Sequence, residues 1–173
     1  MCGRVRLSSD VSEIKLVFSI PPRRPSPNFP PSWNVAPTDP LPVVRYDAKA
    51  RERSLDVLRW GLVPYWAKDL KVGFSNINAK AEGIETRPAF CEAFQRRRCL
   101  VPNELCAALH NRMPVVLKPQ GWPIWLGEEP ATALELKAVL APFSSEEMTC
   151  WPVSPRVRNV KNNDASLIEP IAA

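Results

Sequence analysis

The chain has 173 residues, 45% of them apolar and a net charge of +5, which reads as one globular domain large enough to bury a core. No run of about eighteen apolar residues occurs, and charged residues enter by Arg4, Arg6 and Asp10, which excludes a membrane span and argues against a signal core. Five cysteines form no CxxC pair and His110 is the single imidazole, so neither a zinc site nor another metal centre is expected, and free thiols fit better than disulfides. The expected location is the cytoplasm.

In chain order, residues 3–7 read as a short strand. Residues 10–18 read as a helix with Asp10 as N-cap and Glu13 three residues on. Residues 21–31 are dominated by proline, which removes N–H donors and fixes φ, so they form an extended loop. Residues 41–46 and 54–60 are two β-rich runs around a charged turn, a hairpin. A short helix over 88–95 is followed by a strand over 98–101 and helical turns over 103–109. A strand at 115–117, helices at 121–126 and 132–140 and a strand at 150–153 complete the chain. Short strands interspersed with short helices predict an α+β fold.

The residues with chemical potential sit between these elements. Cys2 becomes N-terminal on loss of Met1. It would then carry a thiol and an α-amine with reference pKa values of about 8.5 and 7.7–8.0. A 1,2-aminothiol traps an aldehyde as a Schiff base and closes on it with sulfur to a thiazolidine. Alone, an early cysteine more often means nothing. Asn78 offers an amide acceptor and donor that can orient an amine or a sugar hydroxyl, or can merely turn the chain. His110 is the proton shuttle available near neutrality, or a structural hydrogen-bonding residue. Arg112 suits a phosphate clamp. Arg96, Arg97 and Arg98 read either as a helix end or as a phosphate contact. Trp60 and Trp66 are core or rim aromatics, or stacking platforms for an unpaired base.

Met1-Cys2-Gly3-Arg4 is followed in order by WNVAPT at 33–38, RWGLVPYWAKD at 59–69, NINAKAE at 76–82, RPAF at 87–90 and RRCLVP at 97–102. HNRMPV at 110–115 and WPVSPRVRNVKNN at 151–163 complete the series. This ordered set resembles the SRAP family, the SOS-response-associated peptidases that process abasic sites, over nearly the whole chain. The resemblance implies one SRAP domain over 1–173 with a mixed, barrel-like β-sheet core and short flanking helices. It implies a self-processing peptidase and lyase-type enzyme of the DNA damage response. It implies that Met1 is removed autocatalytically, that single-stranded DNA with an abasic site is bound, and that Cys2 forms a covalent thiazolidine crosslink to the ring-opened sugar. No cofactor is implied, and the protein is nucleoid-associated when bound to DNA.

Carried over by position, Cys2 is the nucleophile, Asn78 positions the amine and sugar, and His110 assists ring opening and proton transfer. Arg4, Asn34, Trp66, Lys80, Arg112 and Lys161 fall at positions assigned to the DNA. Lys80 keeps the charge where many members carry arginine but lacks its planar fork.

One departure is large. After Cys99-Leu100-Val101-Pro102, members continue into a segment with a catalytic glutamate and several strands, and here Asn103–His110 follows at once. The expectation is an internal deletion near 102–103, with central strands lost and exposed sheet edges open to self-association. Glu104 lies in the helix-like run, not in the lost motif. A second reading is therefore an impaired, shortened relative that only binds DNA or has no function. A third, an unrelated N-terminal-nucleophile amidohydrolase, lacks its long strand and helix pattern here.

Overall fold

The computed structural model describes residues 3–102 and 114–171. Cys2, Glu104, His110, Arg112 and the expected helical turns at 103–109 lie outside the described residues. The architecture is the mixed α+β expected. Among the described residues its ladders are two two-stranded antiparallel sheets, not closed into a barrel.

The first sheet pairs β1 (Val5–Leu7) with β2 (Ser32–Val35), with an irregularity between Val5 and Leu7. β2 falls within the WNVAPT motif, where the sequence predicts no strand. Asn34 disguises it, because asparagine is depleted in strands; here its side chain is buried and bonded to carbonyls instead. Between them, α1 (Val11–Val17) is capped by Asp10, whose carboxylate accepts the Ser12 N–H at 2.7 Å. Ser19, with φ 53°, lets the Ile20 N–H reach back to the Lys15 carbonyl at 2.8 Å and closes the helix. Lys15 is only 8% exposed, and its ammonium is satisfied by the carbonyls of Pro22 and Arg24, which fastens the proline loop to the helix.

The second sheet is the expected hairpin, β3 (Pro40–Asp47) with β4 (Glu52–Arg59), in unbroken register from Pro40↔Arg59 to Asp47↔Glu52. Strand periodicity sends alternate β3 residues to opposite faces. Val44, fully buried, joins a core with Ile14, Phe18 and Leu55, while Leu41 and Val43 join a second core with Leu7 and Val35. The hairpin is thus the layer that both cores share.

Among the described residues the remaining α-helices are α2 (Cys91–Arg96), α3 (Trp122–Leu126) and α4 (Ala133–Ala138), with short 3-10 turns elsewhere. Thr132 and Glu135 form a reciprocal capping box at α4. Phe18 stacks on Trp122 with centroids 4.5 Å apart, tying α3 to α1.

Three expected strands are corrected. Residues 98–101 contribute only a bridge, Leu100 with Val44 at 2.8 and 2.9 Å, because Arg98 is diverted into a helix cap and Pro102 has no N–H. Residues 115–117 form no ladder; the Leu117 carbonyl is taken by the Trp122 indole at 3.0 Å. Residues 150–153 contribute one bridge, Val153 with Pro170.

Candidate functional site

The chain that carries Asn78 is held against the end of β4. Trp60 closes that strand by donating its backbone N–H to Asp39 at 3.0 Å and accepting from Thr38 at 2.9 Å. Its ring packs on the Leu7, Val35, Leu41 and Val43 cluster, as does Val5 of β1. Its indole N–H donates to the Ile77 carbonyl at 2.9 Å, one residue before Asn78.

Next in the chain, Gly61 has φ 121°, and a Cβ there would stand 2.7 Å from the Gly73 carbonyl oxygen. Only glycine permits this approach. It brings Leu62 to Asn76, where the Leu62 N–H donates to the Asn76 carbonyl at 3.1 Å and the Asn76 side chain donates back to the Leu62 carbonyl at 3.0 Å. Asn78 therefore leaves a locked segment, half-buried, beside the core that supports β1.

Around this segment the surface is aromatic and basic. Trp66 is 53% exposed and Phe74 58%, with Tyr65 and Leu70 also exposed. The Arg59 guanidinium stands 5.9 Å from the Phe74 ring centroid, a cation–π contact. Lys80 is exposed two residues past Asn78. Phe74 was not singled out as a site residue from the sequence. Its signal was its place at the head of the FSNINAKAE run.

Arg4, Asn34 and Lys161 meet at a different point, the loop after the 3-10 helix Pro155–Arg158. Asn34 is 3% exposed, and its Nδ2 donates to the carbonyls of Asn159 at 3.1 Å and Asn162 at 2.9 Å. The Asn163 carbonyl Oδ1 accepts the Trp33 N–H at 2.7 Å and the Ser32 hydroxyl at 3.2 Å. Arg4 donates through Nη2 to the Arg158 carbonyl at 3.1 Å and through Nη1 to the Gly3 carbonyl at 2.7 Å. Lys161 stands exposed on the same loop. Asp164 steadies the loop's far end; hydrogen bonds from Ser166, then Arg156, hold its carboxyl below the ordinary carboxylate range.

The arginine cluster resolves mostly into structure. Arg98 donates to the carbonyls of Phe94 and Gln95, both at 2.7 Å, and to that of Trp125. It therefore caps α2 and ties it to α3, and desolvation lowers its pKa. Arg97 pairs with Glu92, and Arg96 is exposed. Cys99 packs against the core beneath β1, where burial pushes its thiol up and makes it a poor nucleophile.

The family model for SOS response associated peptidase (SRAP) matches residues 1–104 and 102–160. The chain is 29% identical over 224 aligned residues to the abasic site processing protein YoqW of Bacillus subtilis, covering 98% of this chain and 99% of that protein. It is 24% identical to the abasic site processing protein YMR114C of Saccharomyces cerevisiae, over 83% of this chain and 54% of that one. A crystal structure of a protein from Bacteroides thetaiotaomicron shares the fold, with TM-score 0.78, 15% identity, and 99% and 100% of the two chains covered.

Proposed function

The chain belongs to the SRAP family of SOS response associated peptidases, and from that membership we propose that it processes abasic sites in single-stranded DNA by crosslinking through Cys2. Hydrolysis of the Met1–Cys2 peptide bond consumes a water and frees the Cys2 α-amine. That amine adds to the C1′ aldehyde of the ring-opened sugar, and the carbinolamine loses water to give an imine. The thiolate then adds its electron pair to the imine carbon while nitrogen takes a proton, closing a thiazolidine. No oxidant or reductant is needed, and no metal or cofactor enters the scheme.

Asn78 orients the amine and the sugar, and His110 moves protons during ring opening and closure. Trp66 and Phe74 stack unpaired bases, while Lys80, Lys161 and Arg112 meet phosphates. The observation that carries this reading is the bond from the Trp60 indole to the Ile77 carbonyl, since it fixes Asn78 beside the core that underlies β1. Incubation with an abasic single-stranded oligonucleotide, followed by a denaturing gel, tests it. A shifted band that Cys2→Ala abolishes is expected, on protein whose intact mass lacks Met1. No band sinks the reading.

The domain is proposed to be a single SRAP domain over 1–173 with an internal deletion near 102–103, and a second reading is that this shortened chain, having lost the family glutamate, only binds DNA or has no function. The two-piece family match meeting at 102–104, and an alignment of 224 positions against 173 residues, favour the deletion. Glu104 is then the carboxylate nearest the junction. A retained Met1 with no crosslinked band is its signature. Val57 and Leu58 are both exposed on β4, whose outer edge has no further strand among the described residues, and pairing of two copies along that edge is the corresponding proposal. Sedimentation as a monomer at tens of micromolar would remove it.

A further inference from the structure

Arg4 and Asn34 occupy positions that the resemblance assigns to DNA, yet both donate to the protein's own backbone. Asn34 projects from β2, and its Nδ2 holds the carbonyls of Asn159 and Asn162. At 3% exposure it has almost no surface to offer a ligand. The loop it holds supplies the Arg158 carbonyl to Arg4, and the second arm of the same guanidinium holds the Gly3 carbonyl. Asn163 fastens the loop to β2 a second time through Trp33 and Ser32. Hydrogen bonds at either end of the loop backbone therefore link β2, through residues 158–163, to Arg4 and Gly3, the neighbour of Cys2.

We propose that Asn34 is a positioning residue: it sets the 158–163 loop, and through Arg4 the direction in which the N-terminus leaves β1 toward the aldehyde. The inference rests on the crosslinking function proposed above. Its physical basis is that reactions at a tethered nucleophile depend steeply on aim, a misplacement of about 1 Å costing up to about a hundredfold in rate. Orienting energy comes here from the charge-assisted bonds of Arg4 and from the part-buried bonds of the Asn34 amide to the loop carbonyls.

The test compares wild type with Asn34→Ala on protein whose intact mass lacks Met1. Three quantities are read: the crosslinking rate at saturating abasic oligonucleotide, the Kd for undamaged single-stranded DNA at several salt concentrations, and the reaction of Cys2 with glyoxylate. A positioning role lowers the saturating rate about tenfold or more, and leaves the Kd, its salt slope and the glyoxylate reaction unchanged. A DNA contact would instead weaken Kd at an unchanged saturating rate, and that outcome overturns the proposal, as does an unchanged rate. Should Asn34→Ala not fold, Asn163→Ala decides, because it loosens the same loop from an exposed side chain and is expected to lower the same rate. If wild type forms no crosslink, the functional reading fails and the inference falls with it; if wild type crosslinks and both variants match it, only the inference fails.

Discussion

The indole N–H of Trp60 donates to the carbonyl of Ile77 at 2.9 Å while the Trp60 ring packs on the core beneath β1. One side chain thus couples the end of the hairpin, the support of the N-terminal strand and the segment that presents Asn78. Trp60→Phe keeps an aromatic ring and deletes the donor. It is expected to destabilise the fold by about 1–3 kcal/mol through the orphaned carbonyl, measured by denaturant unfolding, and to slow crosslinking more than Kd for DNA is weakened. Unchanged crosslinking would dissociate this bond from the site.

Gly61 and Gly73 cross so closely that a side chain cannot be added to the first. Gly61→Ala places a Cβ 2.7 Å from the Gly73 carbonyl oxygen at a φ of 121° that alanine rarely adopts. The backbone must shift, at an expected loss of about 1–3 kcal/mol, and residues 76–78 shift with it. Thermal unfolding and the crosslinking gel should report losses together.

Phe74 and Trp66 are exposed, and neither holds up a core. Alanine at either position is expected to change stability by no more than about 0.5 kcal/mol. The same substitution should weaken single-stranded DNA binding by about 1–3 kcal/mol if a base stacks there. Fluorescence anisotropy with an undamaged oligonucleotide measures the difference, and affinity equal to wild type would remove the residue from the interface.

Acid should loosen the hairpin turn. Hydrogen bonds from Arg24, then from the backbone of Ala50 and Lys49, hold the Asp47 carboxyl below the ordinary range of about 4. A folded-state value below the unfolded one means that the unfolded chain binds the proton first. The contribution is complete at neutral pH and is lost as pH falls through the ordinary range toward the lowered value. Asp47→Asn should therefore show a smaller fall in Tm between pH 7 and pH 3 than wild type; parallel curves would refute the assignment.

Local signals in the sequence identified α1 through Asp10, a helix beginning at Thr132, and the hairpin through its two β-rich runs around a charged turn. Those features are decided within a few residues, by side chains meeting nearby backbone groups. The ordered motifs likewise carried the family, because they are a property of the chain as written.

What the tertiary structure alone decided depends on partners distant in the chain. β2 exists because β1 lies beside it, and the strand expected at 115–117 does not form a ladder because an indole takes the Leu117 carbonyl. Arg98 could be a phosphate ligand or a helix cap until three carbonyls converge on it. Asn34 is a position that the resemblance assigns to DNA until residues 125 and 128 positions further on bring their carbonyls to it. A residue type states which bonds a side chain can make; only the fold determines whether DNA or the protein's own backbone is there to receive them.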